Sequence, residues 1–134
     1  MDLKELKPKS DTITVELKHP STDEPLLNLD DSPMTITVWA AHSKEYKAVI
    51  HEAANKRLKK AAKSKNKQVD LTIEEIEQQG LDLAVSVIKD WNITYGKDQP
   101  KFSRDLAEEV YKELFWVREQ VDEAIESVDV FTKK

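Results

Sequence analysis

The residues of this chain best suited to proton transfer or metal binding are three histidines, His19, His42 and His51. They fall at a strand end, in a turn ahead of a helix and inside a helix, at spacings that match no zinc site. A helical histidine with no ligand partner four residues on reads as a surface residue. There is no cysteine to serve as a nucleophile, and no serine stands in a Gly-x-Ser-x-Gly elbow. With two glycines in the whole chain, a phosphate-cradling loop is practically excluded, because backbone amides need glycines to approach a pyrophosphate. The pairs Glu74-Glu75 and Glu108-Glu109 invite an acid–base or metal role. Adjacent residues on a helix point about 100° apart, however, and cannot share a ligand as i,i+4 pairs do. They read as helix-start charges and solvated faces. The expectation is a protein with no catalytic residue, no cofactor and no metal.

What remains is binding. Residues 56–67 carry seven basic residues and no acid, whereas residues 105–129 carry nine acids against Lys112 and Arg118. The plain reading of both is a solvated helix face; the functional one is that the polarity orients a partner or a second subunit. Candidate contacts are Lys56, Arg57, Lys59, Lys60 and Lys63. The basic segment lacks interleaved aromatics and a recognition-helix motif, so nucleic-acid binding is the alternative rather than the leading reading. Trp39 joins the candidates because it alternates onto the polar face of its strand, and large aromatics are enriched at binding hot spots. Trp91 and Trp116 are placed at helix ends.

A chain of 134 residues makes one domain that buries roughly two thirds of its unfolded surface. The net charge is −5 with 35% charged residues, which disfavours general attraction to DNA or anionic membranes. The charged N-terminus lacks the apolar run of a signal peptide, and no stretch approaches the ~20 apolar residues of a membrane span. Together with the absent cysteines this predicts a cytosolic protein.

Residues 1–11, with Pro8, are expected to be a flexible arm, residues 12–128 a single α+β domain, and residues 129–134 a flexible tail. In Thr12-Ile13-Thr14-Val15-Glu16-Leu17 and in Met34-Thr35-Ile36-Thr37-Val38-Trp39-Ala40 the apolar residues alternate, predicting two antiparallel strands whose shared face needs helices over it. The connector at residues 20–33 is rich in Pro, Asp and Ser, yet Leu26, Leu27 and Leu29 should form a short extra strand or pack across the hairpin, or else serve as a docking segment. Ser43 caps a first helix in which Tyr46, Ile50, Ala53, Ala54, Arg57, Leu58 and Ala61 mark a small-residue packing face. Residues 64–68 are a polar connector. Thr72 and Glu75 form a capping box for a second helix whose stripe runs Ile76, Leu83, Ala84, Val87, Trp91. Gly80 within it signals close backbone approach or a break. Ser103 caps a third helix with Leu106, Val110, Leu114, Val117, Val121, Ile125 and Val128 in one stripe, and Leu114-Phe115-Trp116 is the place for any bend. The predicted fold is thus an N-terminal antiparallel hairpin or small sheet packed against about three helices.

Several segments together resemble the tail assembly chaperones of long-tailed phages, the family of the lambda G protein. They are His19-Pro20-Ser21-Thr22-Asp23-Glu24-Pro25-Leu26 after the first strand, Ser43-Lys44-Glu45-Tyr46 at a helix start followed by the basic Arg57, Lys59 and Lys60, Trp91 after the second helix, Pro100-Lys101-Phe102-Ser103, and Trp116-Val117-Arg118-Glu119-Gln120-Val121. The order and spacing carry the likeness over residues 12–128. One departure is Phe115, where the family pattern often has proline before the last tryptophan. The resemblance implies a nonstructural factor of the bacterial host cytoplasm, absent from the mature virion. Such a factor binds the tape measure protein, keeps it soluble and helps recruit the tail tube protein. It further implies self-association into a homo-oligomer, and a longer form of the same protein made by frameshifting, for which the tandem Lys133-Lys134 offers a slippery codon context.

Overall fold

The computed structural model describes residues 2–6, 10–63 and 72–126, with side chains throughout except at residues 5, 6 and 60–63. Alternation of apolar and polar residues builds two strands as expected. Strand β1 (Thr12–Glu16) pairs antiparallel with β2 (Thr35–Trp39), Thr12 opposite Trp39 and Glu16 opposite Thr35. Val15, Ile36 and Val38 point inward and are buried, Ile36 and Val38 completely. The other face carries threonines, with the Thr14 and Thr37 hydroxyls 3.3 Å apart.

The first correction concerns the second helix. Helix α2 (Ile73–Ser86) stops well before Trp91, and Ile88–Asn92 is a third strand, β3, antiparallel to β2 in a sheet of order β1-β2-β3. Val87 and Trp91 are buried as a helix would have had them, but the free edge of β2 needs backbone partners, and β-branched Val87 and Ile88 suit that pairing. The ladder skips Lys89: Thr37 faces Asp90 and Val38 faces Ile88. Trp91 therefore belongs to a strand, where its Nε1 donates to Pro100 O at 3.0 Å and its ring meets Phe102 edge-on at 5.2 Å.

The third predicted helix is two, broken within Leu114-Phe115-Trp116, the place read in sequence for any bend. Helix α3 (Arg104–Glu113) and helix α4 (Phe115–Glu126) are separated at Leu114, whose φ of −124° and ψ of 71° leave the helical region. Val110 and Tyr111 before the break and Val117 and Val121 after it all reach the core. Phe115, at the turn, is 67% exposed. The break lets one apolar stripe fold over the sheet from two directions, giving four α-helices among the described residues where about three were expected.

The core lies between the inner sheet face and α2, α3 and α4, which supply Leu81, Val85, Val110, Val117 and Val121. Side-chain amides tie loops to it. Gln120 of α4 accepts from Lys18 N at 2.9 Å and donates to Lys18 O at 2.8 Å, pairing with the end of the first strand as a neighbouring strand would. Asn28, buried in the connector at residues 20–33, has Nδ2 at 3.2 Å from Ser32 Oγ, Pro33 O and Asn92 O, and its Oδ1 accepts from Thr94 at 2.8 Å. In the same connector Leu26 packs on the core while Leu27 and Leu29 stay exposed, and single bridges join Lys18 to Pro25 and Leu27 to Pro33.

Within the predicted arm, Leu3–Leu6 makes one 3-10 turn, and Asp11 O already accepts from Ala40 N at 2.8 Å. The predicted caps of α2 and α3 form: Thr72 Oγ1 accepts from Glu75 N at 3.1 Å while Glu75 Oε1 accepts from Thr72 N, and Ser103 Oγ accepts from Leu106 N at 3.2 Å. The tail at residues 129–134, Val128, the connector at residues 64–68 with Lys65 and Lys67, and Pro8 lie outside the described residues.

Candidate functional site

Helix α1 (Lys44–Lys63) begins as predicted, with Ser43 Oγ accepting from Tyr46 N at 3.0 Å and donating to Ala40 O at 2.7 Å. It then departs from expectation. None of its described side chains is buried; Ala53, Ala54 and Leu58 are exposed, Leu58 by 67%. The small-residue face does not pack into the core, because alanines interspersed with lysines bury too little apolar area to hold the helix there. It borders a groove instead.

The groove encloses about 590 Å³ between α1 and α2. Val49 and Ala53 of α1 and Ile76, Gly80 and Leu83 of α2 line it. On each helix these positions follow the i, i+3, i+4, i+7 spacing of a single face, so two apolar stripes confront one opening. Ile76 is 55% exposed, and Ile73, one turn earlier on α2, is 72% exposed. Glycine at position 80 is not explained by a neighbouring backbone or by a helix break: α2 runs through it, and the nearest atom to an added Cβ would be Arg118 Nη2 at 3.4 Å.

Charges rim the groove. Lys56 Nζ lies 3.5 Å from Glu52 Oε1, one turn back on α1. Across the opening Arg104 donates to Ser86 Oγ at 2.8 Å and to Asp82 O at 3.2 Å, with the Asp82 carboxylate 3.9 Å away. Arg57 also lines the groove and makes no ion pair or hydrogen bond among the described residues.

Of the predicted contact residues, Lys56 and Arg57 are thus brought into one site. Lys59 is exposed on the same helix, and Lys60 and Lys63 belong to α1 with side chains outside the described set. Trp39 is elsewhere, half-buried on the outer sheet face, where Lys89 Nζ sits 5.1 Å from its ring centroid. The skipped ladder position that frees Lys89 lets the cation cover the indole. Val49, Ile76, Leu83 and Arg104 were missed in sequence; their signal is the face spacing, which core residues share.

The histidines do structural work or none. His19 Nδ1 accepts from Ser21 N at 3.1 Å and Thr22 N at 3.3 Å, ordering the turn in which Asp23 takes a φ of 63°. His42 Nε2 approaches Asp11 Oδ1 to 3.3 Å without the alignment of a hydrogen bond. His51 is exposed on α1. Among the described residues no three His, Asp or Glu side chains group as a metal site, and no helix is long and apolar enough to cross a membrane. Tyr111 is buried with its hydroxyl unpartnered, and burial, with the Asp122 carboxylate adding to it, holds the phenol far above its ordinary range.

Two of the short segments noted in sequence meet in space, Trp91 with Pro100 and Phe102, and Gln120 of a third pairs with Lys18 just before the first. Their side chains are spent on fold contacts. Compared with known proteins, the chain matches no family model, no curated protein and no solved structure. What the geometry offers chemically is an open apolar cleft with a charged rim, suited to a side-chain stripe of another polypeptide.

Proposed function

We propose that the protein is a tail assembly chaperone of a long-tailed phage, a binding protein without bond-making chemistry. Its partner is the tape measure protein, a long helical chain that aggregates while its apolar stripes are uncovered. The protein keeps that chain soluble, helps recruit tail tube subunits during tail morphogenesis, and stays behind in the host cytoplasm when the virion is complete. The resemblance of the ordered segments over residues 12–128 supports this reading.

The observation that carries it is the unfilled groove between α1 and α2, where two helices present single-face stripes to solvent. A helix laid into such a cleft buries its apolar side by the helix-in-groove mode, and modest area keeps the contact reversible. The groove also favours a protein over a nucleic acid, since its floor is aliphatic and offers no stacking platform.

Co-expression with the tape measure protein encoded beside this gene tests the reading. A soluble complex recovered by affinity pull-down is expected. If the partner stays insoluble and nothing co-purifies, both with this chain and with a frameshifted longer form, the assignment falls.

A further inference from the structure

We infer that the groove between α1 and α2 takes one amphipathic helix of the partner, seated with its apolar stripe on Val49, Ile76 and Leu83 and with a carboxylate on its flank against Arg57. The identity of the partner rests on the chaperone reading above; the shape and charge the partner must have rest on the groove alone.

The walls set the shape. Each is a helix, and near the middle of each stripe stands a small residue, Ala53 on α1 and Gly80 on α2. Side chains of an incoming helix can reach the floor there, while Ile76 and Val49 flank them. An extended peptide fits less well, because neither wall offers the free backbone edge that a strand would need.

The rim sets the charge. Five ionic side chains line the groove, Glu52, Lys56, Arg57, Asp82 and Arg104. Four are matched in pairs, Lys56 with Glu52 and Arg104 with Asp82, the latter pair reinforced by the Ser86 and Asp82 O bonds. Arg57 is left over. Its guanidinium borders an apolar floor that a bound helix would dry, which raises the gain from an opposing carboxylate and the cost of an opposing lysine. A second copy of this chain meets only half of the requirement. It carries acids on α3 and α4, but the valines of those helices are consumed by its own core.

The test uses the full chain and two synthetic helical peptides of about 20 residues, some 30 Å long. Both share one leucine stripe; one carries glutamates along a flank of the stripe and the other lysines. Binding is followed by fluorescence anisotropy. The wild type is expected to bind the glutamate peptide about ten-fold or more tightly than the lysine peptide, Arg57→Glu to reverse that order, and Ile76→Asp to weaken both about ten-fold or more. Both positions are exposed, so the fold should tolerate the changes, and unchanged circular dichroism melts verify it. Equal affinity for the two peptides, or an order unmoved by Arg57→Glu, overturns the inference. So does a wild-type dimer in light scattering that Ile76→Asp disperses, which gives the groove to a second copy. The two readings fail separately. Peptides that rank as expected beside a tape measure protein that still precipitates leave the groove assigned and remove the chaperone. A tape measure protein kept soluble by both variants does the reverse.

Discussion

Gly80 sits at mid-helix in α2, where its backbone conformation needs no glycine and the space beside it ends at the flexible tip of Arg118. Alanine fits without displacing backbone. Gly80→Ala should raise stability by about 0.5–1 kcal/mol in urea denaturation, through helix propensity alone; a loss of that size would mean that Arg118, held by Asp122 at 3.7 Å, cannot yield. Tyr111 is the other residue whose own chemistry makes a prediction. Its buried hydroxyl has no partner, so Tyr111→Phe should leave stability unchanged or raise it by about 1 kcal/mol. Because burial raises the folded-state phenol above its ordinary value of 10.0, the folded protein holds that proton after the unfolded chain has released it. Stability is therefore full below pH 10 and falls as pH climbs above it. Tyr95 acts in the same direction through its hydrogen bond to the Glu109 carboxylate, but at the surface. Melting the wild type and Tyr111→Phe across alkaline pH should show the slope reduced in the variant; identical slopes would place the effect elsewhere.

At the scale of elements, the separation of core from groove makes a contrast that stability measurements can read. Ile36→Ala empties a site in β2 that is completely buried and should cost about 2–5 kcal/mol. Leu58→Ala on α1 removes a side chain of equal hydrophobic character that is 67% exposed, and should cost under about 0.5 kcal/mol. A large loss at Leu58 would mean that α1 is buried after all. The same contrast explains what could be read in advance. The period-2 strands and the Thr72 and Ser103 caps were legible because each is a local signal with a local cause. Residues 87–91 were not: Val87, Ile88 and Trp91 satisfy a helical stripe and a buried strand equally, and the arbiter was the open edge of β2, a tertiary fact. The place of the break at Leu114 was legible in Leu114-Phe115-Trp116, but whether the helix breaks there was not, since an apolar stripe that must cover a sheet from two directions continues through the bend. For α1 the spacing was right and the burial wrong. Its alanines and lysines keep a helical face whatever that face meets.

For the molecule as a whole, the sheet with α2, α3 and α4 forms the packed body, and α1 turns the outer side of α2 into a site. Only part of that site was legible. Lys56 and Arg57 stood out as charges, while the aliphatic floor looked like core, and Trp39 lies apart from the groove, with Lys89 Nζ 5.1 Å from its ring centroid. Charge segregation, read in sequence as a solvated face or as a means of orienting a partner or a second subunit, enters the groove through its basic residues Lys56 and Arg57. Lys56 pairs with Glu52 within its own helix, and on the inference above it is Arg57 that selects a partner. Raising salt should therefore weaken partner binding only modestly, because an apolar floor carries most of the contact and a single charge pair, partly dried on binding, is little screened; a loss of binding by several orders of magnitude at high salt would point to phosphate contacts instead. The most direct measurement is co-expression of the neighbouring tape measure protein with the wild-type chain and with Ile76→Asp, scored by the amount of soluble complex recovered. A soluble complex with the wild type, lost with Ile76→Asp while that variant itself stays folded, is the predicted result. A complex recovered equally with both, or with neither, contradicts a groove built to hold that partner.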